Sequence, residues 1–503
     1  MYSYIQKSYA AAVTGSVLLF GVTAVVILLT YTADTQAEGV GRFSGTDQLI
    51  VQFSDNKQFP SSRVAELGKK VGWKLKYLRA GGKKSHVIKV AGMKSLRAMK
   101  KLAAQLSQQQ GVLYAEPDRI LHPIAFPDDT SDTHYLLQWH YYESIGGIAA
   151  PAAWSESTGS GINVAVIDTG YRPHHDLLGN LITDGYDMIA DPFVANEYID
   201  DGRDSDAADP GDWVSKGECG DGYPTVDYNS SWHGTHVAGT IAATTNNSLG
   251  VAGVAPDARI LPVRVLGKCG GYTSDIADGM LWAAGLDVPE ASFNSNPARV
   301  LNLSLGGGGA CSRTMQNTIN SVRESGAVVI VAAGNSAMDI RGFTPANCKN
   351  VVTVAATTRE GSRAWYSNYG KGVDLSAPGG DTSVEGEDGV LSTYNSGKSD
   401  PAPSGDDTGD TYAYYQGTSM ATPHVAGVAA LMLSVKPELT PDDVESLLKS
   451  SARAFPQSCS KCGTGILNAG DAVAAAQAFT GGDGGDSGDG GDKCRGGPKK
   501  CPR

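Results

Sequence analysis

Four residues have side chains and settings suited to attack on a carbonyl group: Asp168, His233, Asn335 and Ser419. Ser419 lies in Gly417-Thr418-Ser419-Met420-Ala421-Thr422-Pro423-His424-Val425-Ala426-Gly427, which continues as an apolar, Ala-rich run. A loop that delivers a small hydroxyl to the start of a buried helix reads this way. There the serine's own N–H lacks an intrahelical partner, and the helix dipole favours negative charge. A nucleophilic serine needs both when a carbonyl oxygen becomes an oxyanion. Taken alone, such a serine reads more readily as a helix cap. Asp168 ends the strand Val164-Ala165-Val166-Ile167, where a carboxylate can hold an imidazole in one tautomer. Alone it is a turn or cap residue. His233 stands in Ser230-Ser231-Trp232-His233-Gly234-Thr235-His236, at the start of an apolar helix. An imidazole there can take a proton near neutral pH. Asn335 follows Val331-Ala332-Ala333-Gly334, and its amide can donate to an oxyanion. By itself it reads as a turn Asn.

These residues need a rigid mount. Apolar segments 162–167, 260–265, 300–305, 328–332 and 351–355 read as strands. Helical patterns begin near His233, Thr273, Ser312, Ser419, Thr440 and Asn468. Strands apolar on both faces that alternate with helices predict a buried parallel sheet, with helices on both faces. Ligands of such sheets bind at the carboxyl ends of the strands.

Residues 43–124 read as a separate small α+β unit of order β-α-β-β-α-β, a ferredoxin-like pattern. Residues 43–125 hold 15 Lys/Arg against 5 Asp/Glu, a net of +10, so the rest carries −22 within the total of −12. A basic segment joined to an acidic body favours their mutual attraction and disfavours a nucleic-acid partner. Before it, Lys7 and a long apolar run read as a secretory signal peptide over residues 1–37, with an uncleaved signal anchor as the rival. Eight cysteines fall in sequence order as Cys219, Cys269, Cys311, Cys348, Cys459, Cys462, Cys494 and Cys501. Even count and wide spacing fit disulfides in an oxidising compartment. Cys459-Ser-Lys-Cys462 has zinc-ligand spacing, but no second such pair lies within finger length. Residues 380–411 read as a Gly/Asp/Ser-rich loop, and residues 480–503 as a Gly/Asp-rich flexible tail. His236 and His424 read as packed helix histidines, and His174-His175 as a solvated loop. His233-x-x-His236 lacks the glutamate and the spacing of a zinc hydrolase motif.

Taken together, the segments VAVIDTG, HGTHVAGT, AAGN and GTSMATPHVAGVAAL resemble those of the subtilisin-like serine peptidases, the subtilases, in the order Asp, His, Asn, Ser. The match runs through nearly all of residues 130–475. It is nearest to secreted, disulfide-containing subtilases of Gram-negative bacteria. The resemblance implies an α/β fold built on a seven-stranded parallel sheet, with 125–479 as the catalytic domain and 38–124 as an inhibitor-type propeptide. It implies a secreted, self-processed endopeptidase of broad specificity with Ser419 as nucleophile, His233 as general base and acid, and Asp168 as the orienting carboxylate. Asn335 and the Ser419 N–H would form the oxyanion hole.

Further expectations follow from the same likeness. Gly270, Gly271 and Tyr272, with Ser304, Leu305 and Gly306, would pair with a substrate backbone, and Ala333 and Gly334 would wall the adjoining pocket. Two or more structural calcium ions are implied, and no organic cofactor. One set of ligands is Gln138, Asp176 and Asn247. The other is the acidic insertion Asp201, Arg203 (by its carbonyl), Asp206, Asp209 and Asp212, which would otherwise be a solvated acidic loop. Partners would be protein or peptide substrates and the chain's own propeptide as an intramolecular inhibitor, with a monomer after maturation. The alternative is a non-catalytic binding or inhibitory protein that kept the fold.

Overall fold

The structure, a computed structural model, describes residues 45–54, 61–80, 85–118, 130–196, 202–404, 408–457 and 459–480. The expected signal peptide, the region 119–129 and the Cys494–Cys501 tail lie outside them. The chain divides into two compact units, Met1–Ile120 and Leu121–Arg503.

The first unit has the expected order: β1 (Gly45–Phe53), α1 (Ser61–Val71), β2 (Leu75–Ala80), β3 (Ser85–Ser95), α2 (Leu96–Ser107) and β4 (Val112–Pro117). Its antiparallel sheet runs β2-β3-β1-β4. Leu49, Val51 and Ile88 on the strands are buried with Met99, Leu102 and Leu106 of α2, the apolar stripe that helical spacing places on one face.

The second unit is built on β5 (Asn163–Asp168), β6 (Tyr186–Asp187), β7 (Arg259–Arg264), β8 (Val300–Leu303), β9 (Val328–Ala332), β10 (Val352–Thr357) and β11 (Leu375–Pro378). They form one parallel sheet in the order β11-β10-β9-β8-β5-β7-β6. Side chains alternate between its faces, as the two-residue strand period requires. Val164, Val166, Val328 and Ile330 face α3 (His233–Ala242) and α6 (Thr418–Val435). Ala165, Ile167, Val329 and Val331 face α4 (Thr273–Ala283) and α5 (Arg313–Glu324). The helix starts follow their caps: Ser312 accepts from Met315 N–H, Thr440 forms a capping box with Asp443, and Asn468 accepts from Asp471 N–H.

Two readings need correction. Segment 300–305 is strand only to Leu303, so residues 304–306 leave the sheet as an extension. Residues 380–411 are not wholly loop. They contain β12 (Val390–Asn395), which pairs with β13 (Asp410–Tyr415) as an antiparallel hairpin. The polar connection between them masked the strand signal.

Candidate active site

β5 and α3 bring the first two residues together. Asp168 is fully buried at the carboxyl end of β5 and accepts from Thr169 N–H at 2.8 Å. His233 opens α3, and its Nδ1–H donates to the same Asp168 oxygen at 2.7 Å. The approach depends on Gly234: a Cβ there would lie 2.0 Å from the carbonyl oxygen of Gly170. Burial alone would lower the His233 pKa. The charge and hydrogen bond of Asp168 outweigh it, with Asp212 and Asp209 adding to the rise, so the imidazole is more basic than its ordinary value.

α6 and β9 supply the rest. Asn335 Oδ1 accepts from both the N–H (2.8 Å) and the hydroxyl (2.9 Å) of Thr418, which fixes the amide and turns Nδ2 outward. A Cβ on Gly417 would lie 3.3 Å from Asn335 Nδ2 and 3.6 Å from Ser419 N, so both donors flank one spot. The Ser419 hydroxyl donates to the Ser304 carbonyl at 3.1 Å, and the Ser304 hydroxyl donates to the Ser419 carbonyl at 2.8 Å. Pro423 explains the second bond. It sits inside α6 without an N–H, so the carbonyl four residues back, Ser419, has no helical donor.

The expected substrate edges divide. Among the described residues the backbone groups of Gly271, Leu305 and Gly306 make no hydrogen bond, which leaves them free to pair with an added strand. Gly270 is tied in a turn to Gly267, and half-exposed Tyr272 stands beside it. Ser304 is buried on Ser419. Ala333 and Gly334 offer shape only. The Ala333 N–H bonds Val354 and its carbonyl accepts from Asn368, while the Gly334 N–H bonds Thr418 and its carbonyl accepts from Asn368 N–H. The sequence reading missed Phe343. Its strand residue pairs with Gly308, and its ring would touch a Cβ at either Gly306 (2.5 Å) or Gly334 (2.6 Å). The ring therefore sits in the crevice between the two chain extensions.

The calcium expectations change more. Both Gln138 amide atoms bond the backbone of Ala252, so its place is structural. Asp132, which the sequence reading did not single out, holds the turn instead. The Asp132 carboxylate accepts from Asn246 N–H (3.0 Å) and Asn247 N–H (3.1 Å), and the buried Asp176 accepts from Asn247 Nδ2 (2.6 Å) and Val251 N–H (2.9 Å). Burial, with Asp176 nearby, pushes Asp132 up to about 6 although the loop N–H bonds oppose this. Asp132, Asp176 and Asn247 thus bring side-chain oxygens, the ligand type calcium takes, to one turn, where those oxygens accept N–H groups and Asn247 Oδ1 is held by Leu249 N–H. Of the second expected set, the described side chains are each engaged by protein groups. Asp201 lies outside the described residues. The Arg203 guanidinium pairs with Asp275 (2.8 Å) and Asp278 (2.7 Å). Asp206 accepts from Ala208 N–H, Asp209 is buried on Thr169 and Gly211, and Asp212 holds Ser231.

His236 and His424 are buried and packed as expected. Burial brings them down to about 3 and about 4. His174 lies in a loop as expected but is buried rather than solvated. One of its ring nitrogens bonds the Thr411 carbonyl and the other Asp176 N–H. Disulfides join Cys219 to Cys269, Cys311 to Cys348, and Cys459 to Cys462.

A model described as the subtilase family matches residues 159–468. The chain belongs to the subtilase family. Among relatives of this subtilase, the extracellular protease of Xanthomonas campestris is 44% identical over 483 residues, covering 92% of this chain and 79% of the relative. The extracellular basic protease of Dichelobacter nodosus is 40% identical over 448 residues, covering 86% and 71%. A solved protease of Pseudoalteromonas arctica is 57% identical with a TM-score of 0.66, covering 69% of this chain and 99% of that one. The chain is a serine endopeptidase by family, and its sheet is the subtilisin type of α/β fold.

Proposed function

We propose that this subtilase cleaves protein substrates through an acyl-enzyme formed on Ser419. The observation that carries the reading is the bond from His233 Nδ1–H to Asp168 at 2.7 Å, which leaves Nε2 as the basic nitrogen. For attack the Ser419 hydroxyl leaves the Ser304 carbonyl and turns to His233. Its oxygen bonds the substrate carbonyl carbon as the proton passes to Nε2. The oxyanion is received by Ser419 N–H and Asn335 Nδ2, the two donors beside Gly417. On collapse the imidazolium gives its proton to the leaving amine, and water repeats the sequence to release the acid. Every member of this set is present, so nothing favours the non-catalytic alternative.

Residues 1–37 act as the signal peptide and 38–124 as a propeptide that inhibits the enzyme until self-cleavage. The relatives named extracellular and the disulfides support export. The mature product is a monomer. Calcium held by Asp132, Asp176 and Asn247 would supply charge neutralisation to the turn 245–251, a structural role remote from the chemical step. The deciding experiment is Ser419→Ala, which should accumulate as full-length precursor without activity on casein. Full processing of that variant in a protease-free host would refute self-cleavage.

A further inference from the structure

We infer that Asp209 and Asp212, in the acidic insertion, are positioning residues for His233 that anchor the main chain on either side of it. The inference rests on His233 being the general base.

Two hydrogen-bond paths carry it. Asp209 is 1% exposed, and its Oδ2 accepts from the Thr169 hydroxyl at 2.7 Å. That hydroxyl oxygen accepts from Gly234 N–H at 3.0 Å. Asp209 thus orients a hydroxyl that ties the residue after Asp168 to the residue after His233. On the other side, Asp212 accepts from Ser231 N–H at 2.6 Å and from its hydroxyl at 2.7 Å. The Ser231 oxygen accepts from His233 N–H at 3.3 Å. The insertion therefore grips the backbone two residues before the imidazole and one residue after it. Each grip is anchored by a carboxylate, and a charged acceptor makes the stronger bond.

The carboxylates also act through space. The groups facing His233 are Asp168 from β5, Asp209 and Asp212 from the insertion, and His236 one turn along α3. Tyr415 of β13 donates to the Ser231 carbonyl at 2.8 Å and stacks on His236. His236 remains neutral, so the charges that bear on the imidazole are three carboxylates. Burial and the neighbouring Asp212 push Asp209 up to about 7.

The test compares pH profiles of kcat/KM on a short chromogenic peptide for the wild-type enzyme, Asp212→Asn and Asp212→Ala. Asp212→Asn keeps an acceptor but removes the charge, so its acid limb should move down by about half a pH unit, the scale of one screened charge near contact. Asp212→Ala also loses the grip on Ser231. Its plateau kcat should drop roughly tenfold with little change in KM, an effect of misplacing the base. Where Asp212→Asn does not mature, Asp209→Asn supplies the comparison through Thr169. Limbs that superimpose on the wild type for both Asn variants overturn the inference, as does a loss of calcium-dependent melting temperature with an unmoved limb. His233→Ala in the same assay separates the two levels. If it stays active, the general-base reading has failed. If it is inactive while the limbs superimpose, only the role of the two aspartates has.

Discussion

Ser304 and Ser419 exchange hydrogen bonds, the hydroxyl of each donating to the carbonyl of the other, at 2.8 and 3.1 Å. The pairing joins the extension of β8 to the start of α6, and Pro423 makes it necessary by withholding the helical donor. In Ser304→Ala the Ser419 carbonyl stays buried without a partner, which should cost about 1–3 kcal/mol. Chemical denaturation measures this directly, and an unchanged unfolding midpoint would sink the role given to Pro423.

Gly417 faces both of the proposed oxyanion donors. The methyl group of Gly417→Ala would lie between Asn335 Nδ2 and Ser419 N. Loss of one such donor costs about 10²–10³ in kcat, a figure taken from subtilisin, itself a subtilase. Gly417→Ala and Asn335→Ala should each fall in that range with KM nearly constant. Kinetics in which KM rises and kcat holds would place the oxyanion elsewhere.

We expect Phe343 to set the size of the side chain that fits beside the cleaved bond, since its ring packs on Gly306 and Gly334. With the ring between Gly306 and Gly334, we expect small side chains to be favoured. Peptide anilides with Ala or Phe at the cleaved position should be ranked Ala first by the wild type. Phe343→Gly should reverse that order, and a wild-type preference for Phe contradicts the assignment.

Removal of calcium by a chelator should lower the melting temperature more than it lowers the rate of the chemical step. Asp132→Asn should melt lower and lose most of its response to calcium. A melting temperature indifferent to chelator in the wild type rules out the turn 245–251 as a calcium site.

The acid limb of kcat/KM should have its midpoint above pH 6.5, because His233 must be neutral to act and its pKa is raised. Stability has the opposite sign. A histidine with a raised folded pKa contributes stability below its unfolded value, and this is lost as pH rises through the folded one. The pair with Asp168 thus stabilises the fold most where the enzyme is least active. A limb centred below 6.5 is incompatible with the field described.

Much of this was legible in order and type. Strand periodicity gave five of the sheet's strands, and cap residues such as Thr440 and Asn468 marked helix starts to within a residue. Asp168, His233, Asn335 and Ser419 were visible because small residues and apolar runs surround them. What stayed hidden depended on tertiary partners. Asp209 and Asp212 looked like solvated or metal-bound acids because the hydroxyls that hold them, on Thr169 and Ser231, are distant or unremarkable in sequence. Phe343 sits in a stretch with no strand signal and acquires meaning only through two glycines elsewhere. Gln138 has the chemistry of a ligand, yet the Ala252 backbone takes both its polar atoms.

Helix α6 is apolar on every side, with mean hydropathy 1.3 and 83% of its span buried. Such a helix has no stable place until the sheet and α3 are there to cover it. Its first turn carries Ser419, so the nucleophile cannot be aimed before the interior around it has closed. Under the self-cleavage proposed above, activity would work as a proofreading signal for assembly, because a chain whose interior is still open could not make its own maturation cut.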